Sequence, residues 1–327
     1  MAKQPSRKPF TEHRDHYREV TDRIIAALEG GTKPWQQPWS RKGASGPLAP
    51  MNPTTGRKYH GINTLVLAMS AFAMGGDPRF CSYKQAGDRG WQVKRGERGT
   101  TVFFFKRMEV EDRDAPPEAE DRTRRIPLLR AYTVFNGAQL EGIPPYMPPT
   151  PAEAPWRRPE AADVILRNSG AYIRIGGDRA FYSPSTDHIQ LPPEESFKSP
   201  QGWAAVALHE AAHWTGAPHR LNRELRNRFG SDKYAQEELR AEMASAMIGA
   251  ELGLPCDLPN HANYVASWLN ALRQDKREVF RAAADAQRMA DYLLAFHPDY
   301  AARFPADAAA GADEGGGQEG AVGREAA

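Results

Sequence analysis

The chain has 327 residues, enough for about two domains, and with 40% apolar and 26% charged residues it supports a packed core and excludes wholesale disorder. Two distant cysteines, Cys81 and Cys256, argue against a disulfide framework or thiolate metal site, and neither an 18-residue apolar run nor an apolar leader in Met1–Phe10 is present, so a cytoplasmic protein without a membrane helix is expected. The net charge of +2 conceals a basic first third, 19 Lys/Arg against 8 Asp/Glu over residues 1–107, and an acidic remainder, 24 against 33, so an anionic partner is expected for the first third alone.

Tyr17, Val20, Ile24, Ile25 and Leu28 recur with helical spacing, and Gly30-Gly31 supplies the stop. A Pro/Trp-rich loop from Lys33 to Trp39 follows, then a turn at Asn52–Gly56 and an apolar helix over Ile62–Met74. Asn63 at its start reads as an N-cap. Thr101–Phe105 is β-branched and aromatic, hence a strand. Met108–Asp121, with seven acidic residues against one basic, reads as a mobile hairpin loop before a second strand, Ala131–Phe135. Pro144–Pro159 holds seven prolines and reads as a stiff linker between two domains with separate cores and separable functions. Beyond it come a helix near Ala161–Arg167, strands near Tyr172–Ile175 and His188–Leu191, and helices near 203–215, 234–252, 262–272 and 277–296. The expected division is 1–145 (1–13 flexible), a linker at 146–158, a second domain at 159–300 and a disordered tail at 301–327. Cys81 is expected to be half-buried.

The helix near 203–215 contains His209-Glu210-Ala-Ala-His213, an HExxH motif. Four residues make about one helical turn, so His209 and His213 share a face and reach one tetrahedral zinc, with Glu210 beside them as general base. Catalytic zinc takes a third protein ligand. Gly216 and His219 complete the HExxHxxGxxH pattern, although Pro218 directly precedes His219 and no Met-turn follows. The rival lies 24 residues or more past His213, on a helix bearing Glu237, Glu238 and Glu242. Glu238 as ligand with Glu242 as an acid behind a histidine fits the i, i+4 spacing, Glu242 as ligand is a further alternative, and Glu237 is expected on a solvated face.

His209–Gly216, Arg220–Arg223 and Glu237–Glu242 together resemble the C-terminal zincin-like domain of the ArdC antirestriction family. Pro34-Trp35, Pro38-Trp39, Asn52–Gly56, Tyr59–Asn63, Lys84–Ala86, Trp91–Thr100 and Tyr132–Asn136 resemble the N-terminal part of the same family. The resemblance covers about residues 14–300 and implies an α+β protein of two domains. The first would be a single-stranded-DNA-binding α+β domain, similar to a segment of conjugative-plasmid primases. The second would be a mainly helical, HExxH metallopeptidase domain. It also implies a mobile element's protein that shields incoming DNA from restriction, and it sets the ligand glutamate on Glu238 and the following acid on Glu242.

A basic groove with aromatic platforms holds single strands. Candidates are Trp35, Trp39, Arg57, Lys58, Tyr59, Lys84, Lys94, Arg95 and Arg98; Trp91 is expected in the core. The reading is therefore an antirestriction protein with one Zn²⁺ held by His209, His213 and Glu238 and with Glu210 as base. Its expected partners are single-stranded DNA and a protein substrate such as a host restriction component. The alternative is a non-enzymatic strand binder whose zinc is structural or inactive.

Overall fold

The computed structural model describes residues 15–31, 33, 49–111, 123–147, 158–225, 231–252, 254 and 262–302. Helix α1 (His16–Glu29) starts where the Asp15 side chain accepts the Arg18 N–H at 3.2 Å, and it ends at Gly30. Its buried stripe of Val20, Ile24 and Leu28 follows the helical period. α2 (Ile62–Ala73) is apolar on most sides, and Asn63 does not cap it. The Asn63 amide instead donates to the Phe103 carbonyl and accepts the Phe103 N–H, both at 2.7 Å, pinning the first turn of α2 to a strand.

That strand belongs to a three-stranded antiparallel sheet of β1 (Phe80–Ser82), β3 (Thr100–Glu111) and β4 (Thr123–Asn136), in the order β1-β4-β3. A short helix α3 (Tyr83–Asp88) follows β1, started by a capping box between Ser82 and Gln85. β2 (Gln92–Val93) pairs with β5 (Leu140–Glu141) as a second ribbon. The register runs unbroken from Thr100↔Val134 to Glu111↔Thr123. Met108–Glu111, expected in a loop, is therefore strand. Ladder pairing prevails over acidic composition, and the register sets Glu109 opposite Arg125. Residues 112–121 of the expected loop lie outside the described residues.

Cys81 is fully buried rather than half-buried, beside Ala86 and Leu140, and burial pushes its thiol up to about 11. Trp91 packs partly buried against this cluster, as expected.

The second part opens with α4 (Arg158–Asn168) and a sheet of β6 (Tyr172–Ile175), β7 (Phe181–Ser183) and β8 (His188–Leu191). β8 lies centrally, parallel to β6 and antiparallel to β7. Helices α5 (Pro200–Trp214), α6 (Asp232–Leu252), α7 (Ala262–Gln274) and α8 (Glu278–Leu294) complete it.

The expectation of two separate cores is corrected. One buried cluster joins Val20, Ile24 and Leu28 of α1, Ile62 and Val66 of α2 and Phe103 of β3 to the helices of the second part. Tyr17 meets Phe280 edge-to-face at 4.7 Å, and the Thr21 hydroxyl donates to the Lys276 carbonyl at 2.8 Å. The apolar stripe of α1 demands a partner, and α7 and α8 supply it. The proline-rich segment thus joins parts that share apolar packing. Of that segment, residues 148–157 lie outside the described residues, as do the tail beyond 302 and residues 1–14.

Candidate metal centre

α5 is set in place by its N-terminus and its small residues. The Ser199 hydroxyl accepts the Gly202 N–H at 3.1 Å, and Pro200 occupies the first turn. Ala204, Ala205, Ala207, Ala211 and Ala212 are all buried, which lets α4 and α6 approach α5 closely. On the face toward α6, His209 and His213 meet edge-to-face with centroids 4.9 Å apart. Both Nε2 atoms turn to one carboxylate. His209 Nε2 lies 3.6 Å from Glu238 Oε2, and His213 Nε2 lies 3.5 Å from Glu238 Oε1. Among the described residues these three form the one cluster whose donor atoms all lie within 4.8 Å of one another.

That spacing fits a divalent ion. Ligand bonds of about 2.0–2.1 Å in a tetrahedron set donor atoms about 3.3–3.4 Å apart. Two neutral imidazole nitrogens and one carboxylate oxygen are also the donor types that suit zinc-like ions.

The electrostatics follow from burial and proximity. Burial opposes charge on His213, but Glu238, Glu237 and Glu210 outweigh it and push the imidazole up to about 9. Burial likewise opposes charge on Glu238; His213, His209 and the Tyr234 hydroxyl hold its carboxyl far below the usual carboxylate range. Burial and the Glu238 charge push Tyr234 well above its ordinary value. Tyr234 thus donates to Glu238. Glu210 is buried one residue past His209.

Further residues hold this arrangement. Glu237 is buried, not solvated, with its Oε1 3.3 Å from His213 Nδ1. Burial opposes its charge, but His213 and Arg223 keep the carboxyl below its ordinary value. Arg223 reaches Glu237 at 2.9 Å, the Ala212 carbonyl at 2.8 Å and the Thr215 hydroxyl at 2.8 Å. A Cβ at Gly216 would meet the ends of the Arg223 and Leu225 side chains at 2.8–2.9 Å and displace them. Glu242 is fully buried and accepts Lys33 Nζ at 2.9 Å, and that ammonium lies 5.4 Å from the Trp268 ring centroid. Sequence reasoning counts Lys33 among the cations of a strand-binding groove and missed its pairing with Glu242, and it missed the role of Glu237. Only Glu237's place one turn before Ala241 and beside Glu238 hinted at burial.

His219 stands outside the cluster. Its side chain is 65% exposed, 3.6 Å from Asp187 and 2.6 Å from Arg220 Nη1. Arg220 is itself anchored by Asp187 and stacks 3.8 Å over the Trp214 ring. The HExxHxxGxxH reading is therefore corrected: Gly216 and His219 belong to the loop that closes α5.

The expected strand-binding residues are spread over the turns and the short helix α3 that flank the N-terminal sheet. Arg57, Lys84, Arg95 and Arg98 are exposed. Lys94 is exposed too, though its Nζ donates to the Ala138 carbonyl at 2.8 Å. Lys58 forms an ion pair with Glu251. Tyr59 is no open platform, because it packs on the Leu67–Phe80 cluster and its hydroxyl donates to the Phe80 carbonyl at 3.0 Å. Trp35 and Trp39 lie outside the described residues.

An HExxH helix with a glutamate from the next long helix defines the class: residues 160–285 match the family model of a zincin-like metallopeptidase. Residues 14–135 match the N-terminal domain of anti-restriction factor ArdC. Antirestriction ArdC protein from R388 plasmid is 39% identical in its metal-free structure, with a TM-score of 0.72 over 86% of this chain and 98% of that one. Its Mn(II)-bound structure gives 0.71 over 89% and 100%. The chain therefore belongs to the ArdC antirestriction family. Protein y4eC of Sinorhizobium fredii (strain NBRC 101917 / NGR234) is 44% identical over 87% of this chain and 93% of its own length. DNA primase TraC of Escherichia coli is 45% identical over 89% of this chain, which spans 27% of TraC's length. Among the described residues no helix is long and apolar enough to cross a membrane.

Proposed function

We propose that this protein is an antirestriction factor that binds single-stranded DNA through its N-terminal part and holds one Zn²⁺ in a peptidase-type site. The observation that carries the metal half is the placement of both histidine Nε2 atoms on the two oxygens of Glu238, at 3.5 and 3.6 Å. A divalent ion held there supplies a Lewis acid that polarises a carbonyl and acidifies water. The remaining work falls to the chain's own groups. Glu237 accepts from His213 Nδ1–H and so fixes the tautomer that presents Nε2. Tyr234 orients Glu238. Glu210, one residue past a histidine of this face, takes the proton of the attacking water and returns it to the leaving amine. Glu242, one turn past Glu238, steadies that helix face with Lys33.

The DNA half rests on the family membership and on the exposed Arg57, Lys84, Arg95 and Arg98. We assign the protein to the cytoplasm, where a host restriction component is a fitting substrate. Glu210→Gln is the test. Purified wild type should contain about one zinc per chain and hydrolyse peptide or a restriction subunit. The variant should keep zinc and strand affinity and lose hydrolysis. Zinc-loaded wild type without peptidase activity would instead favour the non-enzymatic reading, and full activity in Glu210→Gln would remove Glu210 from the mechanism.

A further inference from the structure

Two rings on the N-terminal sheet stand in solvent although the residues two positions along their strands, Val102 and Val134, are covered. Phe104 on β3 is 49% exposed and Tyr132 on β4 is 46% exposed, whereas Val102 and Val134 are buried. The register pairs Phe104 with Arg130 and Val102 with Tyr132. Residues opposite one another, and residues two apart on a strand, share a face. Phe104, Arg130 and Tyr132 therefore rise from the face that Leu67 and Ala71 of α2 cover at Val102 and Val134.

The two rings are fixed against each other. They meet edge-to-face with centroids 5.4 Å apart and planes at 78°. Such a pair leaves ring surface free for a third aromatic plane. Arg130 is exposed beside them, and Ala131 and Thr133 on the other face are exposed as well. The described N-terminal segments 49–111 and 123–147 contain 13 Lys/Arg against 6 Asp/Glu. This balance matches a polyanion with flat, unstacked rings better than an apolar protein surface.

We propose that Phe104 and Tyr132, with Arg130 beside them, form a base-stacking platform for single-stranded nucleic acid. The inference deepens the strand-binding reading above and rests on it. Stacking uses the π-face that every base has, so the platform is indifferent to sequence. Duplex DNA offers no free base face and gains nothing from it.

The test uses the full chain and a fluorescently labelled oligo-dT. Phe104→Ala and Tyr132→Ala should each weaken binding about five- to tenfold or more, with the slope of log affinity against log salt unchanged, because every phosphate keeps its cation. Arg130→Ala should reduce that slope. Phe104→Trp should keep affinity, and its added tryptophan emission should be quenched by oligo-dT. Thermal melting of each variant separates unfolding from the removal of a stacking ring, and the tryptophan variant reports on the site even where an alanine variant is unstable. A Phe104→Ala/Tyr132→Ala double variant with wild-type affinity overturns the platform but leaves strand binding standing. Failure of the wild type to bind oligo-dT overturns the strand-binding reading itself and the platform with it. Unchanged strand affinity with a changed oligomeric state would make the pair a self-association surface, which also overturns it.

Discussion

Charge is handled differently in the metal pocket and on the basic surface of the N-terminal part. In the pocket, His213, Glu237, Arg223, Glu242 and Lys33 are each held by a partner within about a hydrogen-bond length, in a setting where an unpaired ion is costly. In the turns and on α3 of the N-terminal part, Arg57, Lys84, Arg95 and Arg98 stand in solvent. The first arrangement makes every member depend on its neighbours. The second makes each residue contribute separately and modestly. A buried constellation should therefore fail as a unit, and a solvated one should erode.

The metal ligands should show the largest effect. Glu238→Ala should abolish metal retention on gel filtration, while His219→Ala should leave it at one ion per chain. The reverse outcome would return the third ligand to His219. Next comes the buried pair between Lys33 and Glu242. Lys33→Met leaves a buried carboxylate without its cation and should cost about 3–5 kcal/mol in urea unfolding. Combining it with Glu242→Gln should recover most of that loss, whereas a purely additive double variant would show that the pair does not act as one. Glu237→Gln should weaken metal affinity about 10–100-fold in chelator competition, because the acceptor on His213 Nδ1 is diminished. Equal affinity would mean that His213 is oriented by packing alone. The smallest effects belong to the exposed arginines of the N-terminal part. Arg95→Ala and Arg98→Ala should each flatten the salt dependence of strand binding by about 0.7 in slope for every phosphate that the arginine neutralises. If either variant abolished binding outright, the distributed picture would fail.

Local chemistry was the legible part of the sequence. His209 and His213 advertise themselves because the helical repeat sets them on one face. Tyr172–Ile175 and His188–Leu191 are strands in both readings. The sequence signal weakens where a long-range partner decides the outcome. Glu237 has the charge of a surface residue and becomes buried because Arg223, 14 residues earlier, folds back onto it. Lys33 resembles any basic loop residue until α6 brings Glu242 to it. Asn63 has the signature of a cap but serves a strand 40 residues away. Tyr59 reads as a stacking platform until Phe80 takes its hydroxyl. Each of these depends on tertiary packing, which neither periodicity nor composition records.

α1 carries one more consequence. It lies within residues 14–135, matched by the ArdC N-terminal model, yet it packs on α7 and α8 through Tyr17–Phe280 and Thr21–Lys276. A chain nicked between residues 148 and 157 should therefore not separate into two independent products. The pieces should stay together as a complementing pair, with α1 as the clasp, and come apart only under denaturant. The same clasp bears on heredity. The match to TraC runs over 303 residues spanning both parts, and a helix that completes its neighbour's core gives recombination a reason to move the two as one cassette.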